Sequence, residues 1–342
     1  MLVKEFDYNL PQEMIAQQPL EHREQSRLLM LQRYSGKISE IIFKDIIDYL
    51  KLGDLLVLNQ TRVIPARIYG NLATTNKRVE LLLLRNIKNN TWEALSRPAR
   101  KLKVGVMVNF EGASAKIVER KESGVRIVEF SGKSVGELMS EQGEIALPPY
   151  IKSEVRDFER YQTVYAQNPG AIAAPTAGLH FTPELLDKIR AKGIEIEKIV
   201  LHAGLGTFRP VQVDTVEKHT MYYEEFEITD QNAQKINQVK QENRRIIACG
   251  TTVVRALESQ AIINEQGMSQ IKPMRGLTNL YIYPGYGFKI VDAMITNFHL
   301  PKSTLLMLVS AFSSKENIFN AYEYAIKNKF RFYSFGDAMF IY

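Results

Sequence analysis

The alternation of hydrophobic and polar positions divides the chain into a β-rich segment and flanking segments that mix strands with helices. A short apolar strand at 54–58 runs into the polar loop Asn59-Gln60-Thr61-Arg62. After Val63 the helical period is absent over roughly 70 residues. Six short β-rich runs replace it, at 65–69, 79–84, 91–95, 104–110, 115–119 and 125–130. Their spacing predicts a small barrel or a sandwich.

Beyond residue 150 strands and helices alternate. The pattern predicts strands at 194–201, 245–250 and 279–283, an amphipathic helix at 315–328, and closing strands at 332–335 and 338–341. The first 62 residues also mix strand and helix patterns. The predicted fold class is therefore an α/β main domain that is discontinuous in sequence, with an inserted small all-β barrel-like domain. The predicted bounds are 1–62 and 151–342 for the α/β domain and 63–150 for the insert.

Two similar blocks, Pro175-Thr176-Ala177-Gly178-Leu179-His180 and His202-Ala203-Gly204-Leu205-Gly206-Thr207, flank one helix-strand unit. Thr182 is the expected N-cap, Pro183 the first helical residue, and Gly193 the left-handed residue after the helix. His202 then follows the end of a strand. Ligands of α/β proteins gather at the carboxyl ends of strands, so we expect chemistry here. A turn without function is the alternative for either block alone.

Composition limits the classes of protein and site that fit. The 342 residues are 45% hydrophobic and carry a formal net charge of +6, which is compatible with a phosphate-bearing partner such as RNA. The single cysteine, Cys249, excludes an internal disulfide framework and a cysteine zinc site. The five histidines show no His-x-x-x-His pair, so no metal site is expected. With no export signal and no long apolar run, we expect a cytoplasmic protein without a membrane span.

The segment Gly250-Thr251-Thr252 follows a strand and begins a helix. Such a turn offers free amides and hydroxyls to a carboxylate, a phosphate or a sugar. The alternative is that Thr251 or Thr252 only caps the helix.

Three further groups carry candidate chemistry. Asp292, Asn297 and His299 cluster between two apolar segments, although Asp292 and His299 each fit a purely structural role. His219 and Glu224 lie in one loop, where a carboxylate can tune an imidazole for proton transfer; a solvated charged loop is the alternative. A basic patch that fits either phosphate contact or a solvated strand face comprises Arg62, Arg67, Arg97, Arg100, Lys101 and Lys103.

In this order, the blocks resemble the S-adenosylmethionine:tRNA ribosyltransferase-isomerase family of the queuosine pathway, nearly end to end. The match includes Asn59-Gln60-Thr61-Arg62 and Leu147-Pro148-Pro149-Tyr150. Its strongest stretches are Ala174 to Phe181, His202 to Pro210, Gly250-Thr251-Thr252, Thr296 to Pro301 and Phe335 to Phe340. Ser26-Arg27-Leu28-Leu29 also fits. One position departs: Tyr222 stands where the family has a second histidine in the His219 loop.

The resemblance implies that the ribosyl part of S-adenosylmethionine moves onto the aminomethyl-deazaguanine base (preQ1) at the tRNA wobble position. There it isomerises to epoxyqueuosine, with release of adenine and methionine. S-adenosylmethionine is thus a substrate, no permanently bound cofactor is expected, and the partner is tRNA carrying preQ1. We expect a monomer.

The implied site assignments follow the motifs. The candidate proton-transfer residues are His180, His202, His219, Glu224 and His299, with most weight on His180, His202 and His299. The candidate substrate contacts are Thr176, Gly178, Gly204, Gly206, Thr207, Gly250, Thr251, Thr252, Asp292 and Asn297. Arg62, Arg67, Arg97, Arg100 and Lys101 are the expected RNA contacts.

Two other functions remain open from the sequence. An S-adenosylmethionine-dependent RNA methyltransferase would use the same cofactor, but its Gly-rich Rossmann turn is not evident. A non-catalytic RNA-binding protein would explain the charge and the β-rich insert, but not the Thr, His and Gly constellation.

Overall fold

The computed structural model describes residues 1–121, 123–153, 157–204 and 211–342. They form two compact units. The larger comprises Met1–Arg62, Pro149–Asn168 and Ala174–Tyr342, and the smaller comprises Val63–Pro148 and Pro169–Ala173.

The strands are numbered in chain order: β1 (Arg27–Leu31), β2 (Ile38–Ile42), β3 (Leu55–Asn59), β4 (Thr61–Val63), β5 (Arg67–Leu72), β6 (Arg78–Lys88), β7 (Thr91–Arg97), β8 (Met107–Phe110), β9 (Ala113–Arg120), β10 (Arg126–Gly132), β11 (Asn168–Ala171), β12 (Glu195–Leu201), β13 (Glu224–Ile228), β14 (Ile246–Cys249), β15 (Ala261–Ile263), β16 (Ser269–Ile271), β17 (Met274–Thr278), β18 (Ala293–Asn297) and β19 (Ala338–Ile341).

The α-helices are α1 (Val135–Gln142), α2 (Pro183–Ala191), α3 (Asp230–Gln241), α4 (Thr251–Ser259), α5 (Thr304–Phe312) and α6 (Lys315–Lys327). Short 3-10 helices are Val3–Phe6, Gln12–Met14, Arg23–Gln25, Phe43–Tyr49, Phe158–Tyr161, Thr176–His180 and Val216–Lys218.

The smaller unit is a closed antiparallel barrel with strand order β10-β7-β6-β5-β8-β9. Alternate residues of its strands point inward, and side chains such as Ile68, Leu81, Val108, Ile117 and Val128 are buried there. Helix α1 begins with a capping box, in which Glu137 N donates to Ser134 Oγ at 3.2 Å and Ser134 N donates back to the Glu137 carboxylate at 2.9 Å. The prediction of a small barrel is confirmed, and the sandwich alternative is not.

The larger unit is built on a nine-stranded sheet with the order β17-β13-β12-β3-β14-β18-β19-β1-β2. Strands β12, β3, β14 and β18 run parallel to one another. Every residue of β3, β14 and β18 is buried, as expected for parallel strands that are covered on both faces. The carboxyl ends of four neighbouring strands therefore meet at one edge of the sheet.

Local sequence signals around α2 are confirmed. Leu185 N donates to Thr182 Oγ1 at 3.1 Å, Pro183 is the first helical residue, and Gly193 has φ of +83°. The same signals bring the chain from the 3-10 helix Thr176–His180 through α2 into β12.

Two predicted strands are wrong. The strand expected at 279–283 lies earlier, as β17, and in the segment 332–335 only Phe332 forms an isolated bridge, to Ile15. Their aromatic residues pack on other rings instead: Tyr281 on Tyr283 at 5.0 Å, and Phe332 on Phe298 at 4.7 Å. A segment rich in aromatic residues is often a strand, because aromatic rings pack well on a sheet. A cluster of aromatic rings buries the same side chains equally well without a strand.

None of the helices in the described part of the chain combines the length and the apolar character that crossing a bilayer requires.

Candidate active site at the carboxyl edge of the sheet

The loops that follow the four parallel strands carry most of the candidate residues. Gln60 and Thr61 follow β3, His202 follows β12, Gly250 follows β14, and Asn297 ends β18. At a strand spacing of about 4.8 Å, three spacings place the ends of β12 and β18 roughly 14 Å apart. A nucleoside-sized ligand can span that distance.

His180 is held at both ring nitrogens. Its Nδ1 lies 2.6 Å from Ser26 Oγ, and its Nε2 lies 3.3 Å from Asn297 Nδ2. An amide nitrogen can only donate, so Nε2 is the acceptor and Nδ1 carries the proton that is donated to Ser26. Phe43 stacks on the ring at 4.9 Å between centroids.

This environment keeps the imidazole of His180 neutral. Burial lowers its pKa to about 3, because the charged form loses its hydration. A neutral ring with both nitrogens bonded is a positioning group, poorly matched to proton removal near neutral pH.

The 3-10 helix Thr176–His180 links two of the strand ends. Thr176 Oγ1 donates to Asn297 Oδ1 at 2.8 Å, which fixes the Asn297 amide from the opposite side to His180. A β-carbon on Gly250 would stand 3.8 Å from Ala177 Cβ, so the helix also lies against the turn after β14.

His202 is held by the loop after β3. Thr61 Oγ1 lies 2.7 Å from His202 Nδ1 and itself donates to the carbonyl of Asn168 at 3.4 Å. Because the hydroxyl hydrogen is used there, Nδ1–H donates to Thr61, which leaves the Nε2 lone pair with no partner among the described residues. His202 is half-buried, and burial lowers its pKa below the ordinary value.

Asn59, the last residue of β3, forms hydrogen bonds to the end of β12 and to the first turn of α4. Its Nδ2 donates to Leu201 O at 2.9 Å and to Thr252 Oγ1 at 3.3 Å, while its Oδ1 accepts from Leu201 N at 3.0 Å. Two hydrogen-bonded sets thus lie along this edge, with Gly250 between them, and together they are defined here as the arc: His202, Thr61, Asn59, Thr252, Gly250, Thr176, Asn297, His180 and Ser26.

The alternative that Thr251 or Thr252 only caps α4 does not hold. Gly250 is the N-cap, with φ of +94°, and no side chain caps the helix. The backbone amides of Thr251 and Thr252 have no acceptor among the described residues, so this helix start is open to a polar ligand group.

Glu224 does not pair with His219. Its carboxylate forms a buried ion pair with Arg255 and accepts the amide of Gly204 at 2.9 Å. Arg255 also donates from Nε to Leu280 O at 3.0 Å. Glu224 therefore fixes the backbone just beyond His202, while His219 is half-buried against the ring of Tyr281 at 5.3 Å.

His299 has the surroundings of a structural imidazole. It is buried, its Nε2 lies 2.9 Å from Thr296 Oγ1, and burial lowers its pKa to about 3. Its carbonyl accepts from Tyr8 Oη at 2.5 Å, and its amide donates to Tyr322 Oη at 2.8 Å.

Asp292 lies at the opposite edge of the sheet, before the amino end of β18. Its carboxylate accepts from Ile246 N at 2.9 Å and from Lys240 Nζ at 3.1 Å. The structure therefore does not bring Asp292 together with Asn297 and His299, because a five-residue strand separates them.

Gly178 faces protein rather than open space, since a β-carbon there would lie 2.0 Å from Tyr165 Oη. Among the described residues, Glu224 is the one that lies near the corresponding position of Gly204, at 3.8 Å. Gly206 and Thr207, which were predicted to line the nucleoside, lie outside the described residues.

The basic residues differ in their partners. Arg62 pairs with Glu159, and Arg67 lies 3.9 Å from Glu80. Arg97, Arg100 and Lys101 are exposed on the barrel unit and form no ion pair with another described residue.

Sequence reasoning missed the roles of Ser26, Asn59, Thr61 and Asp337. Asp337 accepts the amides of Arg27 at 3.0 Å and Arg331 at 2.8 Å, and its own carbonyl accepts from Asn297 at 3.4 Å. All four lie in matching stretches, but a hydroxyl or amide that orients another side chain has no local sequence signature. In the described ranges no three His, Cys, Asp or Glu side chains come together as a metal site would require.

Comparisons with known proteins agree along the whole chain. A family described as queuosine biosynthesis protein matches residues 3–341. Proteins named S-adenosylmethionine:tRNA ribosyltransferase-isomerase from Halothermothrix orenii and Staphylococcus haemolyticus are 52% and 53% identical, over 100% of both chains. A crystal structure of S-adenosylmethionine tRNA ribosyltransferase from Thermotoga maritima is 37% identical, with a TM-score of 0.56 over 99% of this chain and 100% of that one.

Proposed function

The chain belongs to the queuosine biosynthesis protein family. We propose that it has the activity for which its relatives are named, that of an S-adenosylmethionine:tRNA ribosyltransferase-isomerase. It transfers the ribosyl part of S-adenosylmethionine to tRNA and isomerises it there. The acceptor is the preQ1 base at the wobble position, the product is epoxyqueuosine-tRNA, and adenine and methionine leave.

The observation that carries this proposal is the arc at the carboxyl edge. It combines an imidazole with an available lone pair, hydroxyl and amide donors, and open helix amides along one edge of the sheet. The reaction needs these groups: a base, donors for developing oxygen charge, and a surface on which two substrates are held together.

His202 is the residue we assign to proton removal. The sulfonium charge acidifies the adjacent ribose carbon, and Nε2 of His202 takes the proton while Thr61 keeps Nδ1 protonated. The ribose ring then opens and expels adenine, which leaves an unsaturated sulfonium and an aldehyde. The amine of preQ1 adds, and the resulting ylide closes the cyclopentane epoxide as methionine departs.

The remaining arc residues position the substrate. The free amides of Thr251 and Thr252, with the open Gly250 turn, suit the ribose hydroxyls, because a helix start favours oxygen that gains negative charge. Asn297 Oδ1 accepts from Thr176 and keeps a second lone pair, which suits a donor on a nucleobase edge. Glu224 with Arg255 holds Gly204 next to His202.

Contact with RNA is assigned to Arg97, Arg100 and Lys101, whose exposed charges are free to bind phosphate. S-adenosylmethionine is consumed as a substrate, and no resident cofactor is invoked. A cytoplasmic location and a monomeric state belong to the same proposal, as expectations for an enzyme that meets tRNA.

Adenine release tests the function directly. The protein is incubated with S-adenosylmethionine labelled in the ribose and, separately, in the methyl group, together with tRNA that carries preQ1. We expect adenine to appear, ribosyl label to enter RNA, and methyl label to leave with methionine. Methyl label in RNA would instead identify a methyltransferase, and absence of adenine would favour a binding protein.

A further inference from the structure

A narrow cleft of about 20 Å³, room for a group the size of a carboxylate, opens to solvent beside His180. Ser26 and His180 line it together with Leu179 and Phe335, and the side chains of Arg23 and Arg160 lie on its wall. The reaction steps above assign no role to these arginines.

The two arginines of this cleft have no carboxylate in direct contact among the described residues. Arg23 and Arg160 form no ion pair with any carboxylate in the described ranges of the chain. The hydrogen bonds that they make go to backbone carbonyls: Arg23 Nη1 to Gln162 O at 3.2 Å, and Arg160 Nη1 to Glu21 O at 3.0 Å. Arg160 Nη2 also donates to Leu20 O. Carbonyl oxygens accept the hydrogens without neutralising the charge, and the carboxylates of Glu24 and Asp157 act on Arg23 without forming an ion pair with it.

Burial makes an unpaired guanidinium costly. It lowers the pKa of Arg23, and the charge of Arg160 lowers it further, while the more distant Glu24 and Asp157 act in the opposite direction. Arginine stays protonated nonetheless, so a bound anion would stabilise this half-buried cation, whereas loss of its proton does not occur. Arg160 Nε is buried and has no hydrogen-bond partner among the described residues.

We propose that this cleft binds the carboxylate of the methionyl part of S-adenosylmethionine, with Arg23 as its ligand and Arg160 as the residue that fixes the segment 20–23. The inference rests on the proposed function, because that function supplies the substrate. Arg23 retains Nε and Nη2 for the carboxylate, and a guanidinium can bind the two oxygens of a carboxylate in parallel.

Three features favour this ligand over an RNA phosphate. The cleft is narrow, whereas a phosphodiester brings a nucleoside on each side. Leu179 and Phe335 offer apolar contact to the methylene groups of methionine. His180 and Ser26 belong both to the cleft and to the arc, so one molecule can reach from Arg23 to the reacting groups.

The test compares two ligands on two proteins. The binding of labelled S-adenosylmethionine is measured by equilibrium dialysis, and decarboxylated S-adenosylmethionine, which lacks only the carboxylate, competes with it. On the unchanged protein we expect the decarboxylated compound to bind about 10- to 100-fold more weakly, the range for a charge-assisted hydrogen-bonded pair. On Arg23→Gln we expect S-adenosylmethionine to weaken by a similar factor and the preference between the two ligands to disappear.

Matched variants separate this role from a general effect on folding. Arg190→Gln makes the same change at an exposed arginine that pairs with Asp187 on α2, and it should leave both affinities unchanged. Arg23→Lys, which keeps the charge without the planar fork, should retain part of the preference. In turnover, Arg23→Gln should raise KM for S-adenosylmethionine and leave KM for tRNA within twofold.

Three results would overturn the assignment: equal binding of the two ligands by the unchanged protein, an unaltered preference in Arg23→Gln, or a rise in KM for tRNA alone. The last result would identify an RNA phosphate site. Because dialysis requires no turnover, these results are independent of adenine release. A protein that releases no adenine refutes the proposed function, whereas an active protein with an unaltered Arg23→Gln variant refutes only the cleft.

Discussion

Tyr165 Oη occupies the space into which a side chain at Gly178 would project, 2.0 Å from the position of its β-carbon. The same β-carbon would lie 2.9 Å from Thr163 Cγ2. The glycine in the Pro175-Thr176-Ala177-Gly178 block is thus required by packing, and the tyrosine behind it sets the position of the helix that carries Thr176 and His180.

The change Gly178→Ala should therefore destabilise the protein by about 1–3 kcal/mol, the usual cost of overpacking. Tyr165 Oη is buried beside the Cys249 thiol, which is only a weak hydrogen-bonding group, so Tyr165→Phe removes the closest clash at little cost and leaves the one with Thr163. We expect the double variant to recover part of the loss in urea unfolding. If Tyr165→Phe brings no recovery, the glycine serves something other than this contact.

Removal of the His202 imidazole should abolish most of the chemistry. We expect His202→Ala to lower the single-turnover rate of adenine release about 10²- to 10⁴-fold, the range for loss of a positioned general base. Thr61→Val, which no longer fixes Nδ1, should show a smaller loss in rate with KM for S-adenosylmethionine nearly unchanged. A wild-type rate for His202→Ala would rule out the assignment.

The pH profile offers an independent check on His202. Burial lowers its pKa below 6.5, and the neutral ring is the active form. The single-turnover rate should thus be flat above about pH 6.5 and fall only on the more acidic side. Thr61→Val should keep this shape while lowering the plateau.

Stability should also depend on pH through the two most buried histidines. His180 and His299 have pKa values of about 3 in the folded protein, against an ordinary 6.5. The unfolded chain binds protons below 6.5 that the folded chain does not, so stability falls as pH drops from 6.5 toward 3. Each imidazole contributes a slope of about 1.4 kcal/mol per pH unit.

Urea unfolding between about pH 6 and pH 4 measures that slope. His299→Gln should reduce it by about 1.4 kcal/mol per unit whatever the variant does to stability at pH 8. An unchanged slope would mean that His299 is protonated in the folded protein.

Removing the charge of one partner in the buried ion pair of Glu224 and Arg255 should strongly destabilise the protein. Glu224→Gln keeps an acceptor for Gly204 N but leaves the guanidinium uncompensated, at a cost of about 3–5 kcal/mol. Arg255→Met in the same chain removes the stranded charge, and we expect the double variant to be more stable than Glu224→Gln alone. Chemical denaturation of the three variants decides this, since additive losses would contradict the coupling.

The positive charges on the barrel unit should affect the binding of tRNA and not that of S-adenosylmethionine. Replacing Arg97, Arg100 and Lys101 by glutamine should raise KM for tRNA and reduce the slope of log affinity against log salt by about one for each phosphate that the protein no longer neutralises. KM for S-adenosylmethionine should not change. Lys44→Gln, at an exposed lysine outside the barrel unit, serves as the control. An unaltered salt slope would exclude these residues from the RNA contact.

Sequence patterns located the strand ends well because the signals there are local. Thr182, Pro183 and Gly193 act within one turn of helix, and an apolar run followed by His202 marks the carboxyl end of a strand wherever it lies. Asp292 shows the limit of this reasoning. The segment 291–299 looks like one polar cluster in sequence, but five of its residues form β18, which sends Asp292 and Asn297 to opposite edges.

The partners of the site residues could not be predicted for a different reason. Glu224 was predicted to tune His219 because the two are close in sequence, yet it pairs with Arg255, which approaches only after α4 packs on the sheet. Ser26 and His180 are 154 positions apart, and neither residue type signals the other. Burial likewise decides which imidazole is a usable base, and burial depends on the whole fold.

Strand β19 is inserted between β18 and β1, although it follows all the other strands in sequence. Until it is in place, two interior strands present unsatisfied backbone groups, which are templates for pairing with another molecule. A nascent chain that has not yet released residues 338–341 from the ribosome therefore cannot complete the sheet. Prematurely terminated copies should aggregate rather than persist as partly active enzyme.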